Sequence, residues 1–302
     1  MRQTLALTVV ANTALHQTRV GEVSMWKALA PSNASRNGVI AAMLAQAGVT
    51  GPVEPFVGAK GFERQVSGPL QFEGFGSKAG GYRINQTYIK VWPVQYNIQA
   101  DIEAALALRD KISDPARIDS VVIDISDTGR ILSADTAAKW DPQTRENANH
   151  SLPYIVVSAL VDGQVSRATF DASAYRDPRK LELVQRVEVR ADPEFTRAYP
   201  GDLSVRVCVR LQDGSERVHQ IDHLKGHVRN PLSDEEVSQK YHGLVGGRFS
   251  RTRAEANLSC LWELEQVEHL GELLAGFALD EADDPRRHVG AAETDRGMVT
   301  SG

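Results

Sequence analysis

The chain has 302 residues, 42% of them hydrophobic and 24% charged, and a formal net charge of −5. That composition excludes a disordered protein, a collagen-like fibre and a small disulfide scaffold, and it lacks the basic excess of a nucleic-acid binder. Two cysteines, Cys208 and Cys260, are too few for a disulfide framework and fit a reducing, cytoplasmic setting.

The run from Leu5 to Leu15 is apolar, but Thr8, Asn12 and Thr13 interrupt it and no small-residue cleavage site follows. A buried helix is expected there rather than a secretory signal. Elsewhere no run approaches the roughly 20 apolar residues that a membrane helix needs, so no membrane partner is expected. Residues 1–50 carry few charges, and Val39, Ile40, Met43, Leu44 and Ala47 recur at helical spacing before Gly48, placed to stop the helix. Between 51 and 81 the pattern breaks into Gly- and Pro-rich linkage, and a domain boundary is expected near residue 75.

The middle third mixes strands and helices. Tyr82–Val91 alternates and predicts a strand, Gln99–Lys111 a helix with Ile102, Ala105 and Leu108 on one stripe, and Ser120–Ser126 a strand. Ser151–Leu160 predicts an apolar helix capped by Ser151, with Pro153 tolerated in its first turn. Asp213-Gly214 predicts a hairpin between 203–211 and 216–221. Strands and helices without a strict βαβ rhythm fit an α+β class. Helices return near 230: Ser233 with Glu236 forms a capping-box start, and Leu258 to Leu274 predicts a long amphipathic helix that can break at Gly271. From Asp280 the chain is polar and acidic and reads as a disordered tail.

His219, His223 and His227 fall four residues apart, the spacing that would align three imidazoles for zinc on a helix. His219 belongs to the predicted hairpin and Gly226 breaks any helix, so no metal is expected. No phosphate-binding loop or nucleophile elbow is present either. Two lysines stand out. Lys27 lies in an apolar stretch beside Trp26, and Lys90 ends the predicted strand before Trp92-Pro93. A lysine in such surroundings faces a partner carboxylate or a ligand anion, or snorkels to solvent. His150, just before a helix start, is an acid–base candidate or a local packing residue; Arg36, near Asn33 and Asn37, offers an anion contact or a helix–helix bond.

Several segments occur together in a telling order. They are Ser24-Met-Trp-Lys27 with Ala34-Ser-Arg-Asn-Gly38, then Lys90-Val-Trp-Pro-Val-Gln-Tyr96, then Lys139-Trp-Asp-Pro-Gln-Thr-Arg145 with His150-Ser-Leu-Pro-Tyr154, then Gly226-His-Val-Arg-Asn-Pro-Leu-Ser-Asp234. By these motifs the chain resembles the MmgE/PrpD family of 2-methylcitrate dehydratases and cis-aconitate decarboxylases over residues 1–278. The resemblance implies an all-helical domain built from both chain ends, with an inserted α+β lid domain. The expected divisions are 1–75 helical, 76–229 lid, 230–279 returning helices and 280–302 tail.

The resemblance further implies a hydro-lyase that removes water from a di- or tricarboxylate without a cofactor, in propionate catabolism, working as a homodimer. Lys27, Lys90 and His150 are its implied catalytic residues, and Arg36 and Trp140 its implied substrate contacts. Trp140 stands where the decarboxylase branch has a tyrosine, and Gln95 where that branch has a histidine; both favour dehydration. Family members also carry a helical segment with active-site histidines ahead of the position of Met1. By resemblance the chain is a truncated piece, a split-gene subunit that pairs with a separately encoded helical partner, or a member whose start was lost; a subunit inactive alone, or a decarboxylase or epimerase of a related polyacid, is the alternative.

Overall fold

A computed structural model of the chain describes residues 1–11, 26–71 and 83–279. The chain forms two compact units, Met1–Asn230 and Pro231–Gly302. The masses of helix and sheet agree with an α+β class.

The first unit starts with α1 (Arg2–Ala11) and α2 (Trp26–Gln46). The two helices pack on each other, and the chain after α2 closes back on α1, where Gln3 Oε1 accepts from Gly51 N at 2.7 Å. Gly48 adopts φ +91°, as a helix-ending glycine does. Helix α2 buries little: Trp26, Leu29, Val39, Ile40, Met43 and Leu44 are exposed, while Ala41 is buried.

The core of this unit is a two-layer α/β body. Its helices are α3 (Gln99–Arg109), α4 (Asp127–Ser133), α5 (Arg145–Ala148), α6 (Leu152–Asp162), α7 (Ala172–Tyr175), α8 (Pro178–Val184) and α9 (Pro193–Ala198). Its sheet has the order β2 (Val187–Ala191), β1 (Ile118–Ile125), β3 (Val205–Leu211), β4 (Glu216–Ile221). Strand β1 runs parallel to β2 and antiparallel to β3, and β3–β4 is the hairpin. Asp213-Gly214 makes its turn: Gly214 takes φ +81°, and Asp213 Oδ1 accepts from both the backbone and the hydroxyl of Ser215.

Alternation fixes which face is wet. Val121, Ile123 and Ile125 on β1 and Val205, Val207 and Val209 on β3 are buried, and α3, α6 and α8 cover them. The opposite face carries Asp124, Arg190, Arg206, Arg210 and Glu216, joined in ion pairs such as Arg210–Glu216 at 2.7 Å.

Helix α6 is buried from Leu152 to Leu160 because α3, α8 and the sheet surround it, which is why its sequence is apolar on every side. Ser151 caps it, accepting from Tyr154 N at 3.1 Å, and Gly163 ends it in the left-handed region. Tyr154 satisfies its buried hydroxyl by donating to Thr169 O at 2.6 Å, and burial pushes that phenol up to about 12. Buried Lys180 of α8 pairs with Asp162 at the end of α6.

The second unit holds α10 (Asp234–Val245), α11 (Arg251–Trp262) and α12 (Leu270–Gly276). The expected capping box is present: Ser233 Oγ accepts from Glu236 N, and Glu236 Oε2 accepts from Ser233 N.

Two expectations need correction. The expected strand from Tyr82 to Val91 is absent over its described residues, which begin at Arg83: Arg83–Gln86 is a 3-10 turn, and the residues after it run irregularly to Gln95, bonded to a distant turn and to one side chain rather than to a sheet. The stretch after Ala254 is no single long helix. It stops at Glu263, well before Gly271, because α12 folds back on α11, with Asn257 Nδ2 and Arg253 Nε donating to Gly276 O at 2.7 and 3.0 Å. The predicted tail, and Asn12 to Leu15 of the first apolar run, lie outside the described residues. Among the described residues no helix is long and apolar enough to cross a membrane.

Candidate active site

The best-defined polar constellation surrounds Lys90. Its chain segment lacks a sheet partner, so its backbone groups must be satisfied otherwise. The fully buried side chain of Gln99, at the start of α3, does this. Its Oε1 accepts from Val91 N and Trp92 N at 2.9 and 3.0 Å, and its Nε2 donates to Trp92 O at 3.0 Å. The segment thereby bends around one amide. Lys90 Nζ donates to Val94 O at 2.9 Å, which closes the bend.

The next residue along, Gln95, reaches two other elements. Its N–H donates to Asn149 O at 3.4 Å, and its Oε1 lies 3.5 Å from Ser133 Oγ at the end of α4. His150 follows Asn149 at the junction of α5 and α6, nearly buried, its Nδ1 2.9 Å from Glu146 O. Beside it Ser151 Oγ donates to Lys139 O. Burial pushes the Lys139 ammonium below the usual lysine range, and the nearby Asp135 carboxylate opposes that shift. Lys90, Gln95, Asn149 and His150 thus meet through direct bonds or chain adjacency. A cation and an imidazole are the kinds of group that bind a carboxylate and move a proton.

The other residues singled out in the sequence lie elsewhere. Lys27 is on the first turn of α2, and its side chain is outside the described residues. Arg36 is exposed on α2 and donates to Asn33 Oδ1 at 2.9 Å, within its own helix. The Trp140 ring packs against the core and its Nε1 donates to Val187 O of β2 at 3.1 Å. His219 lies on β4, whereas His223 and His227 stack on each other in the following loop, 5.6 Å between ring centres. Among the described residues no group of three or more His, Cys, Asp and Glu is arranged to hold a metal ion.

Sequence reading missed the Gln99 bridge, Asn149 and Lys139. A helix-start glutamine carries no local signal that it will bind backbone eight residues earlier.

Gln95, Gln99, Asn149 and His150 lie within residues matched by a family profile, whereas Lys90 does not. The profile of the MmgE/PrpD C-terminal domain covers residues 92–266, and that of the N-terminal domain covers 1–74. The chain belongs to the MmgE/PrpD family. Among relatives, cis-aconitate decarboxylase of Mus musculus is 24% identical over 269 residues, covering 85% of this chain and 54% of that protein. Cis-aconitate decarboxylase of Homo sapiens is 27% identical over 127 residues, 42% of this chain and 26% of that protein. A 2-methylcitrate dehydratase-like protein of Aspergillus oryzae is 29% identical over 164 residues, 50% of this chain and 32% of that protein. The chain spans about half the length of the mouse relative. The gap between the two MmgE/PrpD profiles, at residues 75–91, contains Lys90.

Proposed function

We propose that this chain is a lyase acting on a citrate-like polycarboxylate, eliminating water in the manner of a 2-methylcitrate dehydratase. What supports the reading is the family together with a chain of contacts: Lys90 Nζ donates to Val94 O, and the next residue, Gln95, donates its N–H to Asn149 O, one residue before His150. Elimination across a carbon–carbon bond needs a base for the proton next to a carboxylate and an acid for the departing hydroxyl. It also needs cations where negative charge develops. On this reading Lys27 and Lys90 hold substrate carboxylates or exchange the proton, and His150 is an acid–base group. The protein works as a cytoplasmic homodimer on this reading.

A second reading, decarboxylation or epimerisation of a related polyacid, is favoured by the 24% identity to the mouse cis-aconitate decarboxylase over 85% of this chain.

The test is incubation with 2-methylcitrate and with cis-aconitate, following the unsaturated product by absorbance and identifying it by NMR. Lys90→Ala is expected to lower turnover by roughly 10²–10³-fold, the weight of one charge-stabilising donor, with an unchanged melting temperature. Lys27→Ala is expected to lose about a thousandfold or more by the same argument. Normal turnover in either variant removes that lysine from the site. A decarboxylated or epimerised product selects the second reading.

A further inference from the structure

The bend that carries Lys90 is flanked by three stacked rings that no catalytic argument above uses. Tyr88 lies two residues before Lys90 and Tyr96 six after it. Their rings stack with centres 5.3 Å apart and planes 18° from parallel. The His227 ring covers Tyr88 as well, at 4.5 Å and 27°. Tyr88 and Tyr96 therefore close the two feet of the bend on each other, and His227 pins one foot to the turn 224–230.

That turn is itself rigid. His227 N donates to Leu224 O, Asn230 N to His227 O, Gly226 N to Asn230 O, and Asn230 Nδ2 to His223 O. Glu103 of α3 holds the same turn by accepting from Lys225 N at 2.8 Å. It meets the bend directly where Ile89 N donates to Gly226 O at 3.0 Å, one residue before Lys90.

The orientation of the His227 ring is also fixed. Its Nδ1 accepts from Arg229 N at 3.0 Å, so Nδ1 carries a lone pair and the neutral ring bears its proton on Nε2. The ring is almost fully buried, and burial, with His223 and Arg229 nearby, holds its pKa below the usual histidine range against the opposing Asp202. A neutral, immobile imidazole is a stacking platform rather than a proton carrier.

We propose that the Tyr96–Tyr88–His227 stack holds Lys90 in register with Gln95, making Tyr88 and His227 positioning residues for the polycarboxylate site. The site's purpose rests on the lyase reading; the mechanical role does not.

The test measures the reactivity of individual lysines towards isotopically labelled acetic anhydride by peptide mass spectrometry, with Lys60 and Lys111 as internal references. Tyr88→Leu keeps apolar bulk and removes the ring. It is expected to raise Lys90 acylation about fivefold, the weight of one lost hydrogen bond, while the references stay constant. Tyr88→Phe keeps the stack and is expected to restore the parent rate at Lys90. His227→Gln removes the ring from the other side and is expected to release Lys90 likewise, which covers the case in which Tyr88→Leu fails to fold. In parallel, kcat/KM with 2-methylcitrate is expected to fall further in Tyr88→Leu than in Tyr88→Phe. Unchanged Lys90 acylation in a folded ring-removed variant overturns the proposal. If parent and variants all fail to turn over 2-methylcitrate and cis-aconitate, the lyase reading fails, and the acylation rates still decide the stack.

Discussion

Asp101→Asn is expected to remove a pH-dependent loss of stability from the parent chain. Asp101 lies in the first turn of α3 with no exposed surface, and neither carboxyl oxygen has a neighbouring donor at hydrogen-bonding geometry. Burial pushes its pKa from 3.8 up to about 8, and its own backbone N–H offsets only part of that. In the unfolded chain the group ionises near its ordinary value, so between about pH 4 and pH 8 the folded state binds one more proton than the unfolded state.

Stability is therefore highest below the unfolded pKa and falls as pH rises through this window, by up to about 1.4 kcal/mol per pH unit. Above about pH 8 the slope from this group vanishes. For a unit of this size the loss corresponds to roughly 3–6 °C in melting temperature per pH unit. The asparagine variant carries no such proton, so the difference between the two melting curves isolates the effect. It is expected to be small near pH 4 and to grow in favour of the variant up to pH 8. Parallel curves for parent and variant would contradict this account of Asp101.

Gly226→Ala carries the second large effect. At this position φ is +90°, where an L side chain is strained, and a Cβ would stand 2.0 Å from Ile89 O. Both partners are backbone, so neither can step aside as a flexible side chain would. Strain and overlap together are expected to cost roughly 2–5 kcal/mol, on the order of 10 °C in melting temperature. Gly214→Ala is the control: φ is +81° there, but nothing lies within 4 Å of the added carbon. It is expected to lose only about 1–2 kcal/mol of conformational strain. Equal melting of the two variants would mean that the turn and the Lys90 bend do not press on each other as described.

What could be read from the sequence depended on how far the deciding contacts lay. The Ser151 cap with Pro153, the Asp213-Gly214 turn and the Ser233–Glu236 box are each settled within four residues, and each was legible. The 83–91 segment was not, because its bonds go to Gln99 and to the turn at Gly226. Its alternating pattern was real but had no strand beside it.

Asp101 was hidden for another reason. A single apolar stripe on α3 implies one wet face, but Gln99, Ala100, Asp101, Ile102, Ala104, Ala105 and Leu108 are all buried. For the site, Lys90 and His150 could be singled out from their motifs. That Gln95 and Asn149 join them depends on the packing of α3 and α6 around the sheet.

The strand order carries a consequence for how the chain assembles. Only β3 and β4 are neighbours along the chain, while β1 takes β2 and β3 as partners from more distant sequence. Closing those long loops costs chain entropy before any pairing compensates, so the central strand is the slow one to acquire its partners. In pulsed hydrogen exchange during refolding, the amides of the 205–221 hairpin are expected to gain protection first. Val121 to Ile125 should follow in the last resolved step; simultaneous protection of both would show that β1 docks within the nucleus itself.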